Sequence, residues 1–173
     1  TGMRPSPGRV AASVFSKIDG TLGVEGPMAR NVADLALLFD AMVGAEQGDL
    51  LSLPREDMSF LAASQSGWKP KRVAVSRDLG ISPVDPGIAD LVLAAARKLE
   101  REGVIVEEAH PDLPNAMHCF QTLRAVGFAT GMRQLLLDHR DKLKPEVIWN
   151  IEKGLKLTGD EIARAEAERG HLF

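Results

Sequence analysis

The sequence predicts an α/β fold with a helix-rich C-terminal half. Residues 72–108 show a strand pattern, an amphipathic helix pattern and a second strand pattern, in that order. Such a βαβ unit joins two parallel strands through a right-handed crossover. From residue 115 to residue 173 apolar residues recur at helical spacing, and helix start signals separate the segments. The two observations together place a parallel strand pair before a mostly helical region.

Length and composition describe one globular domain. The chain has 173 residues, of which 45% are hydrophobic and 26% charged, enough to bury a core. The net charge is −3 and the two signs are mixed, so the chain lacks the basic surface expected of a nucleic-acid or membrane-surface protein. Its apolar runs are too short to cross a bilayer or to form a signal peptide. We therefore expect a soluble cytoplasmic protein with no nucleic-acid or membrane partner.

Cysteine and histidine usage argues against a metal site. The single cysteine, Cys119, excludes an internal disulfide framework and a thiolate-rich metal site, and we interpret it as a core residue. The four histidines lack ligand spacing, and we interpret them as surface or loop residues: His110, His118, His139 and His171. No cofactor or metal is implied.

The N-terminal segment Gly2–Val10 predicts a rigid loop. Pro5 and Pro7 fix φ, and Gly8 can take the positive φ that a tight turn needs. The segment lacks the Gly-Lys-Ser/Thr ending of a phosphate-binding loop. A short strand is predicted at 11–15. A glycine-rich stretch follows, with Gly20, Gly23 and Gly26.

The next segment predicts an amphipathic helix. Gly26-Pro27 cannot continue a regular element, and Asn31 can accept the amide of Asp34 while Asp34 reaches back, so the helix begins at Asn31. Gly44 is placed to end it in a left-handed cap. One broad apolar face contains Val32, Leu35, Leu38, Phe39, Met42 and Val43, with Leu37 on the far side. Both sides of this helix therefore require cover from the rest of the protein.

Residues 45–71 are polar and irregular and predict a surface linker, with a short helical turn at Met58–Ala63. The βαβ unit then begins with a buried strand at Arg72–Ser76. Asp85-Pro86 caps and starts its helix, and Gly103 ends it before a second strand at Val104–Glu107. The predicted core-facing stripe of the helix is Ile88, Leu91, Val92, Ala95 and Leu99.

Three helical segments are predicted in residues 115–173. The first covers Asn115–His139, where the spacing of Gly127 and Gly131 permits close helix packing. Pro145 opens the second, and Thr158–Glu161 forms a capping box for the third.

The residues alone supply no catalytic constellation. The sequence contains no nucleophile elbow, no serine or cysteine with a placed base, and no His-x-x-x-His pattern. Glu107 and Glu108 are adjacent on a strand, so their side chains point to opposite faces and cannot share a proton-transfer role.

Two segments in order carry a family resemblance. Gly2-Met3-Arg4-Pro5-Ser6-Pro7-Gly8-Arg9-Val10 is followed by Gly26-Pro27-Met28-Ala29-Arg30-Asn31-Val32-Ala33-Asp34 and its apolar helix. This pair resembles the amidase signature family of serine hydrolases. The similarity continues through the βαβ unit and into residues 144–150 and 157–165, so it covers nearly the whole chain. It implies part of a large mixed sheet flanked by helices.

The resemblance also implies a reaction. In that family a nucleophilic serine, assisted by a second serine in a cis peptide and by a lysine, attacks an amide carbonyl to form an acyl-enzyme. These residues precede the segment that Gly2–Val10 resembles, so none is matched here, and Ser6, Ser13, Ser16 and Lys17 receive no catalytic role. Because the chain also begins at Thr1 without methionine, we expect a fragment of a longer amidase, inactive alone, comprising residues 1–44, 45–71, 72–108 and 115–173.

Few residues inherit a role from the resemblance. The family's variable helical region walls the substrate site, and it corresponds to about residues 115–140. Its candidates here are Phe120, Leu123 and Arg124. The motif residues interpreted as structural are Gly26, Pro27, Arg30, Asn31 and Asp34.

Two alternatives remain open. The A subunit of a glutamyl-tRNA(Gln) amidotransferase shares the signature, although Asp49-Leu50-Leu51-Ser52 departs from the family's usual Asp-Pro-x-Ser. A chain that is complete at 173 residues would instead be a non-catalytic binding module. A fragment would expose broad apolar faces, so we expect self-association or a homo-oligomer. The expected substrate of the parent protein is a small-molecule amide.

Overall fold

A computed structural model describes residues 1–12 and 22–172. Within them the helices are α1 Val32–Met42, α2 Phe60–Gln65, α3 Pro86–Arg97, α4 Ala116–His139, α5 Pro145–Lys156 and α6 Gly159–Leu172. The strands are β1 Arg72–Val75 and β2 Ile105–Glu108, and short 3₁₀ turns cover Lys98–Glu102 and Arg140–Lys142. Most of the strand predicted at 11–15 lies outside the described residues, as do Ser13, Ser16, Lys17 and Gly20. Across the described ranges, no helix is long and apolar enough to span a membrane.

The predicted α/β class and the helix-rich C-terminal half are confirmed. β1 and β2 pair in parallel, with Arg72 opposite Ile105 and Val75 opposite Glu108, and α3 connects them. Asp85 caps α3 as predicted, because its Oδ1 accepts the N–H groups of Gly87 and Ile88 at 2.8 and 3.2 Å. Gly103 is also confirmed as the stop before β2, because it ends the 3₁₀ turn Lys98–Glu102 that follows α3 and has φ 78°.

The chain divides into two compact units. The first comprises Thr1–Trp68 and Gly127–Ile148, and the second Lys69–Val126 and Trp149–Phe173. The core of the first contains Val10, Phe39 and Val43, with Met42 and Phe60 packed against it. The Phe39 and Phe60 rings lie 4.4 Å apart between centroids. Asp40 in α1 accepts the N–H groups of Phe60 and Leu61 at 2.7 and 3.0 Å, so α1 also positions the start of α2.

Two predictions for α1 need correction. The helix ends at Met42 because Val43 adopts an extended conformation and forms an antiparallel bridge with Val10, so Gly44 is not its left-handed cap. Gly44 still has φ 141°, in the region that favours glycine. Of the predicted apolar face, Leu35, Phe39 and Val43 are buried. Val32, Leu37 and Leu38 are exposed.

The second unit buries a different face of α3 from the predicted one. Ala89 and Leu93 are its buried residues, whereas the predicted stripe of Ile88, Leu91, Val92, Ala95 and Leu99 is exposed. β1 is likewise not the buried strand that was predicted, because only Val75 is buried within it. In the described part of the chain the sheet has two strands, which leaves much of their surface uncovered.

The later helices begin as predicted. In the capping box of α6, the Thr158 N–H donates to Glu161 Oε2 at 2.7 Å and the Glu161 N–H donates to Thr158 Oγ1 at 3.2 Å. Gly127 and Gly131 do not support close helix packing, because a Cβ added at either would meet no described atom within 4 Å. The buried Cys119 Sγ–H donates to the Ala165 carbonyl at 3.2 Å, which joins α4 to α6.

Candidate functional site

The structure joins the two motif segments by main-chain hydrogen bonds. Gly2 and Met28 form an antiparallel bridge. The Met3 N–H donates to the Pro27 carbonyl at 3.1 Å, and the Ala29 N–H donates to the Thr1 carbonyl at 3.0 Å. Backbone pairing of this kind fixes the spacing of the segments without depending on side-chain identity.

Gly26 and Pro27 lie where the two paired segments approach each other closely. A Cβ at position 26 would lie 2.1 Å from the Met3 carbonyl oxygen and 2.8 Å from Pro5 Cδ, so a side chain has no room. Pro27 is fully buried. The Gly-Pro pair therefore meets a packing requirement where the segments touch.

The other motif residues form the start of α1. Asn31 Oδ1 accepts the Asp34 N–H at 2.8 Å, and Asp34 Oδ2 accepts from Asn31 Nδ2 at 2.8 Å. Asp34 thus reaches back to the side chain of Asn31. Arg30 is exposed and forms no ion pair with any described residue.

Residues 46–56, which we call the clamp loop, enclose the end of the N-terminal loop. The Leu53 N–H donates to the Gly8 carbonyl at 2.9 Å. Gly8 has φ 83°, and a Cβ there would lie 1.9 Å from the Leu51 carbonyl oxygen. Arg9 Nη2 lies 2.7 Å from Glu56 Oε1. The loop and the N-terminal segment are therefore interlocked by main-chain and side-chain contacts.

Asp49 and Ser52 organise the clamp loop internally. Asp49 is 5% exposed, and within the described ranges it is the only charged side chain that is buried. Its Oδ2 accepts the Ala12 N–H at 3.0 Å, and its Oδ1 accepts the Leu51 N–H at 2.9 Å. Ser52 Oγ accepts the Glu46 N–H at 3.0 Å, and its single hydroxyl proton is shared between the carbonyls of Glu46 and Asp49 at 3.0 and 2.9 Å. These hydrogen bonds connect the start of the clamp loop to its middle.

An open cleft of ≈ 690 Å³ lies beside the clamp loop. Its described apolar lining consists of Ala11, Ala12, Met42, Val43, Ala45 and Pro54. The other described lining residues are the charged Glu46 and Arg55 and the glycines Gly44 and Gly48. Sequence reasoning missed Asp49 and Arg55, since an aspartate or arginine in a polar loop carries no signal of burial or of a cleft. The only sequence feature that singled out this loop was the departure of Asp49–Ser52 from the family's usual Asp-Pro-x-Ser motif.

The predicted pocket residues lie on α4 in the second unit. The Arg124 guanidinium carbon lies 5.9 Å from the centroid of the Phe120 ring, a cation–π arrangement. Phe120 is exposed and Leu123 is buried. The structure thus brings Phe120 and Arg124 together and places Leu123 in the interior. Their role in a substrate pocket stays a prediction.

The other titratable residues considered as catalytic candidates, Cys119, Glu107 and Glu108, have structural roles. Burial raises the pKa of the Cys119 thiol, an effect that nearby Glu168 reinforces, which disfavours the nucleophilic thiolate. Glu107 pairs with Arg72 at 2.6 Å and Glu108 with Arg97 at 3.6 Å, so the two carboxylates have separate partners. In the ranges that the structure describes, no group of three or more His, Cys, Asp or Glu residues could hold a metal ion.

The fold and the paired segments together place this chain among the α/β proteins that carry an amidase-type signature region. The sequence model of the Amidase family matches residues 1–171. The chain therefore belongs to the amidase family.

Relatives of known identity agree. An acylamidase of Rhodococcus erythropolis is 30% identical over 174 residues, which cover 99% of this chain and 36% of that protein. The A subunit of the glutamyl-tRNA(Gln) amidotransferase of Pseudomonas syringae pv. syringae is 35% identical over 135 residues, or 78% of this chain and 28% of that protein. The chain thus spans about a third of the length of these relatives.

Solved structures show the same fold. A bacterial aryl acylamidase of the amidase signature family superposes with a TM-score of 0.79 at 23% identity, over 96% of this chain and 36% of that one. The 6-aminohexanoate cyclic dimer hydrolase gives a TM-score of 0.81 at 22% identity, over 99% of this chain and 38% of that one. At these identities the likeness concerns the fold alone.

Proposed function

We propose that this chain is part of an amide hydrolase that converts a carboxylic amide to an acid and ammonia or an amine. The observation that carries the proposal is the family match over residues 1–171, which includes both paired signature segments. The R. erythropolis acylamidase supports it, because that similarity extends over 99% of the chain.

The proposed mechanism uses residues outside this sequence. A serine hydroxyl, deprotonated by a lysine through a second serine in a cis peptide, forms a bond to the amide carbonyl carbon. The carbon–nitrogen bond then breaks and the amine leaves with a proton, after which water releases the acid and regenerates the serine. In this scheme the present chain supplies scaffold behind the catalytic loop, and Phe120, Leu123 and Arg124 are proposed to wall part of the substrate pocket.

The A subunit of a glutamyl-tRNA(Gln) amidotransferase is a second candidate. The P. syringae protein is 35% identical, a higher value than the acylamidase gives, although over 78% of the chain. The two candidates differ in their requirements. An amidase hydrolyses simple amides alone, whereas an amidotransferase component depends on its partner proteins and on charged tRNA.

Steady-state assays of the full-length protein that contains this sequence separate the candidates. We expect release of acid and amine from a panel of aliphatic and aryl amides, with no added partner protein. Ammonia release from glutamine only with partner proteins and tRNA present would identify the second candidate. A fluorophosphonate should label one serine, and peptide mapping should locate that serine before Thr1.

A non-catalytic binding module is the remaining alternative. The intact mass of the native protein, captured from its source cells, should exceed 18.7 kDa if the chain is part of an amidase. We also propose that the protein is cytoplasmic and that the isolated chain self-associates through its exposed apolar faces. Sedimentation that showed a compact monomer with a sharp thermal transition would contradict self-association.

A further inference from the structure

We infer that the cleft beside the clamp loop binds a small monocarboxylate with an apolar chain, and that Arg55 holds its carboxylate. The inference does not depend on the amide-hydrolase proposal. It rests on three observations from the first unit, namely a braced cleft, an apolar lining and an arginine without an ionic partner among the described residues.

The cleft is braced on both sides. The Val10–Val43 bridge and the hydrogen bond from the Ala12 N–H to Asp49 hold the 11–12 side. The Leu53 N–H bond to the Gly8 carbonyl, and the bond of 3.3 Å from Arg9 Nη1 to the Pro54 carbonyl, hold the 54–55 side. A site formed before the ligand arrives loses little conformational entropy on binding. The volume of ≈ 690 Å³ suits a small organic ligand.

Among the described lining residues of this cleft, Arg55 is the only cation. Its side chain lies along Gly44, where an added Cβ would stand 3.3 Å from Nε and 3.6 Å from Cγ. Among the described residues Arg55 forms no ion pair, whereas nearby Arg9 is paired with Glu56. A guanidinium presents a fork of N–H donors that matches the two oxygens of a carboxylate.

The negative charge of Glu46 affects which kind of anion the cleft favours. Glu46 belongs to the same lining, and its Oε1 accepts the Gly48 N–H at 3.3 Å. A second negative charge in the cleft repels a doubly charged phosphate more than a singly charged carboxylate. Because six of the described lining residues are apolar, an alkyl chain attached to the carboxylate has a surface to cover. A short-chain carboxylate therefore fits this lining better than inorganic phosphate.

The test is calorimetric titration of the full-length protein with hexanoate, hexan-1-ol and inorganic phosphate. We expect saturable binding of hexanoate, weakened by salt, and weaker binding of the alcohol and of phosphate. Arg55→Gln should weaken hexanoate binding roughly tenfold, because a charge-assisted hydrogen bond is lost. Arg55→Lys, which keeps the charge without the fork, should have a smaller effect. Glu46→Gln should strengthen binding about twofold by removing a like charge.

Arg133→Gln is the matched control, since Arg133 is an exposed arginine on α4 outside the cleft. It should leave hexanoate affinity unchanged. The inference fails if the wild type shows no saturable hexanoate binding, or if phosphate binds as tightly as hexanoate. It also fails if Arg55→Gln binds hexanoate like Arg133→Gln while retaining the wild-type melting temperature, because the carboxylate would then bind elsewhere.

Discussion

The N-terminal region and the βαβ unit contain similar local sequence signals, but they differ in how much of their apolar surface is buried. In residues 1–12 and 22–56, main-chain bonds, two sterically required glycines and one buried aspartate interlock the segments. In the βαβ unit α3 begins at its predicted cap and both strands lie within one residue of their predicted bounds, yet the broad apolar side of α3 is exposed. Local capping therefore specifies where an element lies in sequence, whereas burial depends on which other segments are present.

The largest expected effect comes from Gly8, because the interlocked region has no room for a side chain there. In Gly8→Ala the new Cβ meets the Leu51 carbonyl oxygen at 1.9 Å, and the residue is held at φ 83°. We expect a loss of about 4 kcal/mol or more in the free energy of unfolding, in the range reserved for severe core disruption. Urea unfolding of the full-length protein measures this loss.

Gly103 supplies the matched control from the βαβ unit. It has a similar φ of 78°, but an added Cβ would meet no described atom within 4 Å. Gly103→Ala should cost only about 1–2 kcal/mol, the penalty of a left-handed conformation for an L-residue. Equal losses at the two positions would contradict the close approach between Gly8 and the clamp loop.

Leu93 and Leu91 test the two faces of α3. Leu93 is 8% exposed and Leu91 is 68% exposed. In the 173-residue chain, kept dilute enough to be monomeric, Leu93→Ala should destabilise by about 2–5 kcal/mol, and Leu91→Ala by no more than about 0.5 kcal/mol. Chemical denaturation of both variants measures the difference.

The same pair in the full-length protein shows whether another segment covers the exposed face. We expect Leu91→Ala to become as costly there as Leu93→Ala, because the predicted stripe would then be buried. A Leu91→Ala cost that stays small in both forms would mean that the stripe faces solvent in the whole protein.

Asp49 tests whether the clamp loop depends on its buried carboxylate. Asp49→Asn places an amide N–H₂ near one of the two N–H groups that the carboxylate accepts, those of Ala12 and Leu51. We expect a loss of about 1–3 kcal/mol, the cost of an unsatisfied buried donor. Asp57→Asn removes an exposed carboxylate just beyond the same loop and should change the melting temperature little. If the two variants melt alike, Asp49 does not organise the loop.

The sequence predicted the features that local chemistry determines. The Asn31 and Asp85 caps, the Thr158–Glu161 capping box and the parallel strand pair are all confirmed, because each depends on side chains or periodicity within a few residues. The family resemblance, carried by two short segments, is confirmed by the match over residues 1–171.

Burial and long-range contacts were less predictable. The stripe from Ile88 to Leu99 is amphipathic whichever face is covered, so periodicity alone could not show that Ala89 and Leu93 are the buried residues. Asp49 contacts Ala12 across 37 positions of sequence, and no local pattern marks such a pair. The cleft depends on the same long-range contacts and was therefore not predicted.

The smallest expected effect concerns the capping box of α6, whose stability should depend on pH. Hydrogen bonds from the N–H and hydroxyl of Thr158 lower the pKa of Glu161 below its ordinary value of about 4.3. A carboxyl with a depressed folded pKa adds stability above its unfolded pKa and loses it as the pH falls through the folded pKa. Glu161→Gln should therefore reduce the fall in melting temperature between neutral and acidic pH, while Glu25→Gln, at an exposed carboxyl, should not. NMR titration of the Glu161 carboxyl checks the direction directly, and an ordinary or raised pKa would show that the capping bonds do not favour the carboxylate.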